Sequence, residues 1–205
     1  MNKRNQPVDW RAIYATKTTN VWDTAPHEYT RQAALNAPQG YATDLGCGEG
    51  YDALYLAESG FSVTAVDISD AALDSLARSA RARRLDIATR NDDVRTVRIT
   101  RPQSLIASYG VLHFLGDAHE QQMRHLQQMT TNGGVHSLYV FGDTGDFYDI
   151  ARHDYWFPNR RAIRELYDGW HIERLEEKRV DLLIRGDNGE LLQNSMIKVL
   201  AQKTE

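Results

Sequence analysis

A chain of 205 residues, 41% hydrophobic and 25% charged, has the size and balance of one globular domain, which excludes intrinsic disorder and leaves no room for a second full domain. Its 24 basic and 28 acidic residues give a formal net charge of -4, excluding the long-range attraction that draws a basic protein to nucleic acid or to an acidic membrane. The lone cysteine, Cys47, allows no internal disulfide, residues 1–8 are polar rather than leader-like, and no apolar run approaches the roughly 18 residues of a membrane span, so a cytoplasmic protein with neither nucleic-acid nor membrane partners is expected.

Residues 1–38 read as a helical segment ahead of a core domain at 39–205. Asp9 is placed to cap a short helix through Tyr14. Pro26 suits the first turn of a second helix to about Asn36, because proline is tolerated where an amide has no intrahelical partner. From Gln39 strands and helices alternate: strand 40–45, helix 51–59, strand 61–66, helix 71–83, strand 86–89, strand 104–109, helix 118–130, and strand 135–141 after the turn Asn132-Gly133-Gly134. Such alternation predicts right-handed crossovers and a doubly wound parallel sheet, here of five strands.

Residues 143 to about 158 break the rhythm with Gly145, clustered aromatics and Pro158, and are expected to form an irregular insertion. Loops of that length are often functional. After a helix at 159–167, two strand-like runs at 170–184 and 191–202 flank Asp187-Asn188-Gly189, a strong hairpin signal. The expected α/β fold is therefore a single seven-stranded sheet that finishes antiparallel.

The turn Asp44-Leu45-Gly46-Cys47-Gly48-Glu49-Gly50 follows a short apolar strand and opens a helix. Glycines there let the backbone turn tightly and come close to a nucleotide-like ligand. The dehydrogenase fingerprint would place a pyrophosphate at such a turn, but Asp44 would repel one and instead suits an ammonium. Asp67 ends the next strand, 23 residues on, where a carboxylate can accept both hydroxyls of a ribose. Asp93 follows the third strand and suits an adenine amino group. The plainer alternative makes Asp44 and Asp67 turn or helix caps and Asp93 a loop charge.

Three segments, DLGCGEG, the acid in VTAVDIS, and SLIASYGVLHFL, resemble the first, second and fourth signatures of class I S-adenosylmethionine methyltransferases. The order DLGCGEGYDALYLAESGFSVTAVD, VLHFL, FPNRRAIRELYDGW and a closing hairpin is similar to the tellurite-resistance-type methyltransferases over nearly the whole chain. The resemblance implies a Rossmann-like methyltransferase core with S-adenosylmethionine as cofactor. It implies that Gly46, Cys47 and Gly48 wrap the methionine, that Asp67 and Ile68 hold ribose and adenine, and that Asp93 with Val94 meets the adenine edge. It also implies that Arg31 pairs with the cofactor carboxylate, a bidentate task that suits a guanidinium; an exposed helical arginine is the alternative.

Ligands of open α/β sheets bind beyond the carboxyl ends of the strands, so Ser108 and Tyr109 should face the reacting groups. Acceptor contacts are expected from Trp22, Tyr29, Tyr155, Trp156, Arg160 and Arg161, although the insertion's aromatics would equally serve to pack it. Trp10, Tyr14 and Trp22 read as a lid over the cofactor or as anchors of the first helices. The acceptor is read as a small molecule. A sulfur, selenium or tellurium nucleophile needs no base, which admits thiol or chalcogen detoxification. An alcohol or protonated amine needs one, with Tyr109, His113 and His153 as candidates, His113 reading more readily as a packing residue. Paired acids for a metal are not evident. Several tellurite-type members carry a His-Arg pair where this chain reads Leu182-Leu183-Ile184-Arg185, which argues against tellurite itself. A non-catalytic cofactor-binding regulator is the reading from another class.

Overall fold

A computed structural model describes residues 9–16, 24–185 and 189–204. Trp22 lies outside the described residues, as does the side chain of Trp10. Helices α1 (Trp10–Thr16) and α2 (Glu28–Asn36) precede the core. The core then runs β1 (Tyr41–Leu45), α3 (Tyr51–Glu58), β2 (Ser62–Asp67), α4 (Asp70–Arg83), β3 (Ile87–Asn91) and β4 (Gln103–Tyr109). A 3-10 segment, Leu112–Ala118, leads into α5 (His119–Gln128), and the chain closes through β5 (Thr130–Gly145), α6 (Asp146–Ala151), α7 (Arg160–Leu166), β6 (Trp170–Arg185) and β7 (Leu191–Lys203).

The sheet has the order β3-β2-β1-β4-β5-β7-β6. Strands β1 to β5 pair in parallel, while β7 pairs antiparallel with both β5 and β6. Successive side chains of a strand point to opposite faces, and the core divides accordingly. Ala42, Val63, Ala65, Leu105 and Ala107 pack with Ala33 of α2, Leu54 and Leu56 of α3 and Leu76 of α4. Leu45, Val66, Ile106 and Leu138 pack with Met123 and Leu126 of α5 and with Ile163 of α7 and Tyr167. Both faces are covered, as expected of a doubly wound sheet. The chain reverses its winding between β3 and β4, so β1 and β4 flank the switch point where such sheets open a crevice at their carboxyl ends.

Local signals explain the element boundaries near that crevice. Ser69 caps α4 by accepting from the Ala72 amide at 3.3 Å, a usual end for orphan amides. Gly116, at φ 50°, kinks the 3-10 segment internally, and α5 follows at His119, so the helix expected from 118 to 130 starts and stops within those limits. The expected irregular insertion is partly regular. Strand β5 continues to Gly145 because β7 supplies a partner, Gly145 opposite Asn194. The Asn194 side chain donates to the Gly142 carbonyl and accepts from the Tyr148 amide, tying α6 to the strand end. Among the described residues no helix is long and apolar enough to cross a membrane.

Candidate functional site

A cleft of about 350 Å³ opens at the carboxyl ends of β1, β2 and β4. Its floor is the turn after β1. The Gly46 and Cys47 amides both donate to the Val66 carbonyl of β2, at 2.7 and 3.0 Å, and the Gly50 amide donates to the Cys47 carbonyl at 2.8 Å. Gly46 and Gly48 adopt φ of 70° and 53°. A Cβ on Gly46 would sit 2.2 Å from Val111, and one on Gly48 would sit 2.5 Å from the Tyr14 hydroxyl. Neither steric room nor backbone preference admits a side chain there.

Acids surround this turn. Asp67 accepts from the Gly48 amide through Oδ2 at 2.8 Å and from the Ser69 amide through Oδ1 at 2.9 Å, so it links the glycine turn to the start of α4. Each oxygen keeps a second lone pair. Burial raises the Asp67 carboxyl, against the lowering effect of those amides. Asp44 accepts from the Ala53 amide at 3.1 Å, which holds the first turn of α3. Burial first, and then the like charge of Asp52, push its carboxyl well above the ordinary carboxylate range. Both acids do act as caps, and both also line the cleft. Crowded carboxylates of this kind are relieved by a cation. Asp93 is instead held below its ordinary value by the Arg95 guanidinium, whose Nη2 approaches to 2.5 Å.

The wall beyond β4 is aromatic. Tyr109 accepts from Thr30 Oγ1 at 3.1 Å and shares a 2.5 Å hydrogen bond with Ser137. Tyr139 stands edge-on to its ring, and Phe114 and Tyr155 extend the wall. His27, which sequence reasoning did not select, lies against Tyr109 and is held by Asp52 through both its ring Nδ1, at 2.6 Å, and its backbone amide, at 2.9 Å. No local signal marks that pair, since the two residues are 25 apart and meet only when α2 docks beside α3. Over the glycine turn lies α1. Its Arg11 donates to the Ile68 carbonyl at 3.0 Å, and Tyr14 is buried against Gly48.

Of the expected site residues, the cleft brings together Asp44, Gly46, Cys47, Gly48, Asp67, Ile68, Asp93, Val94, Tyr109 and Tyr155. The others lie elsewhere. Ser108 donates to the Leu45 carbonyl at 2.9 Å and joins β4 to β1 beneath the floor. Arg31 is exposed and donates to the Pro26 carbonyl. Tyr29 is buried under Arg174 and Lys198 on the far side of α2. His113 is buried among Phe114, Phe141, Phe147 and Tyr155, His153 is exposed beyond α6, and Trp156 stacks on His119. Arg160 donates to the Leu175 carbonyl and Arg161 pairs with Glu165, both exposed.

Comparison with known proteins converges on one assignment. The model of the family described as Tellurite resistance protein TehB matches residues 13–200. Hemagglutinin 1 of Eikenella corrodens is 28% identical over 182 residues, 88% of this chain and 60% of that protein. A protein of Haemophilus influenzae named as a probable S-adenosyl-L-methionine-dependent methyltransferase TehB is 26% identical over 191 residues, 93% of this chain and 66% of that protein. The chain thus spans a little under two thirds of these curated relatives. The crystal structure of TehB from Haemophilus influenzae superposes with a TM-score of 0.76 at 24% identity, covering 89% of this chain and 64% of that one. The N-methyltransferase NodS from Bradyrhizobium japonicum, in complex with S-adenosyl-L-homocysteine, superposes at 0.65 with 17% identity, covering 91% and 93%.

Proposed function

Because the chain belongs to the tellurite resistance protein TehB family and has the class I methyltransferase fold, we propose that it transfers a methyl group from S-adenosylmethionine to a small-molecule acceptor. The observation that carries this reading is the Gly46-Cys47-Gly48 turn, bonded to Asp67 and walled by buried acids. The residues fit the cofactor on three counts. The glycine turn leaves space where any Cβ would intrude. Asp44 is buried without an ionic partner among the described residues and is suited to a cationic group. Asp67 keeps lone pairs for hydroxyls, and Asp93 with Val94 and Ile68 borders the end of the cleft that suits an adenine.

When bound, the cofactor supplies a methyl carbon on a positively charged sulfur, open to in-line displacement. The chain's share is binding, orientation and exclusion of water, which supply most of the acceleration in such a transfer. Arg11 pins α1 over the floor, and Tyr14 closes the space above Gly48. The aromatic wall from Tyr109 to Tyr155 faces the acceptor in this reading. A cytoplasmic location belongs to the same proposal.

Calorimetric titration with S-adenosylmethionine and with NAD, alongside Asp67→Ala, tests it. Micromolar binding of the first alone, weakened at least about tenfold in the variant, is expected. Binding of NAD alone would overturn the reading. Binding without methyl transfer to any thiol, phenol or chalcogen oxyanion would favour a regulatory cofactor-binding protein.

A further inference from the structure

Two features of the cleft bear on what it accepts. Among the described residues lining it there are seven aspartates, at positions 9, 44, 52, 67, 92, 93 and 154, and two arginines, Arg11 and Arg95. Arg95 is engaged by Asp93, Arg11 by the Ile68 carbonyl, and Asp92 by Arg90 from outside the cleft, which leaves five acids in excess of these pairs. A cleft with that balance attracts a cationic cofactor and repels an anionic acceptor. Its remaining wall, Tyr109, Tyr139, Phe114 and Tyr155, favours an aromatic ring. A neutral aromatic acceptor that reacts through a hydroxyl carries a proton it must lose, so a base is required.

His27 is the group in place to take that proton. Asp52 accepts from the His27 backbone amide through Oδ1 and engages the ring Nδ1 through Oδ2. With Nδ1 carrying the hydrogen that Asp52 accepts, the lone pair sits on Nε2. The ring is further fixed by lying flat on Tyr109, and it lines the cleft. The Asp52 carboxylate is 9% exposed, a buried partner able to balance an imidazolium.

We propose that His27, oriented by Asp52, is the catalytic base for a neutral aryl O–H acceptor, and that an oxyanion is not the preferred substrate. This rests on the methyl-transfer reading above. The acceptor's O–H bond breaks, its proton goes to His27 Nε2, and the electron pair stays on oxygen. That pair forms the bond to the methyl carbon as the carbon–sulfur bond of the sulfonium donor breaks, its electrons remaining on sulfur. The imidazolium, paired with Asp52, then returns its proton to water.

The probe is 4-nitrophenol, whose ionised form absorbs visible light. It is added to the protein saturated with S-adenosylhomocysteine, and turnover with S-adenosylmethionine is measured at about pH 6, where the free probe is mostly protonated, and about pH 9, where it is mostly ionised. The groups against His27 are Asp52 of α3, Tyr109 of β4 and Tyr139 of β5, with Asp44 of β1 in the same cleft. Burial raises both tyrosines, Tyr139 to about 12, so neither titrates in this window. The wild-type complex should raise the ionised fraction of bound probe at the lower pH, whereas His27→Gln and Asp52→Asn should not. His27→Gln should lose about 10²-fold in kcat/KM at the lower pH and recover to within about threefold at the higher one. Selenite should be a poor acceptor by comparison. Equal losses at both pH values, with no ionisation of bound probe in the wild type, would make His27 a structural residue and overturn the proposal. So would failure of the wild type to bind the probe, or a preference for selenite, and in each of these cases retained micromolar binding of S-adenosylhomocysteine leaves the methyl-donor reading standing. Failure of the wild type to bind S-adenosylhomocysteine would bring down both. Asp52→Asn, which keeps the imidazole, guards against a folding defect in His27→Gln, and melting temperatures of both variants report it.

Discussion

The imidazole of His27 lies flat on the phenol ring of Tyr109, with centroids 3.8 Å apart and planes 1° from parallel. The stack is secured from both ends, by Asp52 on the imidazole and by Thr30 and Ser137 on the Tyr109 hydroxyl. Tyr109→Phe keeps the rings but removes the hydroxyl that Thr30 and Ser137 share, and both of those residues are fully buried. Urea denaturation should show a loss of about 1–2 kcal/mol. An unchanged midpoint would mean that these two hydroxyls find other partners.

Gly46→Ala places a methyl group 2.2 Å from Val111 at a φ of 70°. Strain and the displaced floor should weaken S-adenosylhomocysteine binding at least about tenfold by calorimetry. Gly133→Ala is the control, since it has a similar φ of 74° but nothing within 4 Å of the new methyl group. It should cost about 1 kcal/mol of stability and leave binding intact. Similar binding in the two variants would remove the glycine turn from the cofactor site.

Burial holds His113 near a pKa of about 3, below its ordinary 6.5. The unfolded chain therefore takes up the proton first, so stability is full above about pH 6.5 and is lost as pH falls toward 3. Between pH 7 and pH 5 the loss amounts to about 2 kcal/mol for this residue. Asp44 and Asp67, raised by burial, work in the opposite sense as pH falls. Subtracting the stability of His113→Phe from that of the wild type at each pH isolates the histidine. The difference should move against the wild type on acidification, and a flat difference would mean that the ring is protonated in the folded protein.

Burial, followed by the negative fields of Asp44 and Asp67, pushes the Cys47 thiol well above its ordinary value. The thiolate is the reactive form. Iodoacetamide at neutral pH should label Cys47 at least about tenfold more slowly than it labels the unfolded chain. S-adenosylhomocysteine should slow labelling further. Labelling indifferent to that ligand would separate Cys47 from the cofactor.

The fold was legible wherever a signal was local. Gly46, Gly48 and Gly50 marked the turn after β1, and the alternation of short apolar runs with helical ones marked the strands from β1 to β5. The same locality explains the differences. Residues 142–145 have no strand pattern of their own and become strand because Asn194, 49 residues beyond Gly145, stands opposite. Asp44, Asp67 and Asp93 were legible because each stands at the carboxyl end of its own strand or just beyond it. His27 and Asp52 went unselected because each looks ordinary alone, a half-buried helix cap and an acid in a first turn. Arg31 illustrates the converse, since its place next to Thr30 is a matter of sequence order, while the helix turns Thr30 inward and Arg31 to solvent.

Strand β6 touches the rest of the sheet only through β7, which is made after it and slides between it and β5. During synthesis, at about 5–20 residues per second, β6 therefore leaves the ribosome with neither edge paired, and β5 waits with one edge open. Three unpaired edges on a nascent chain invite pairing with a neighbour. Emergence of β7 joins β5 to β6 and leaves only the outer edge of β6 open on that side, so a chaperone that shields strand edges would matter most in the interval between the two strands.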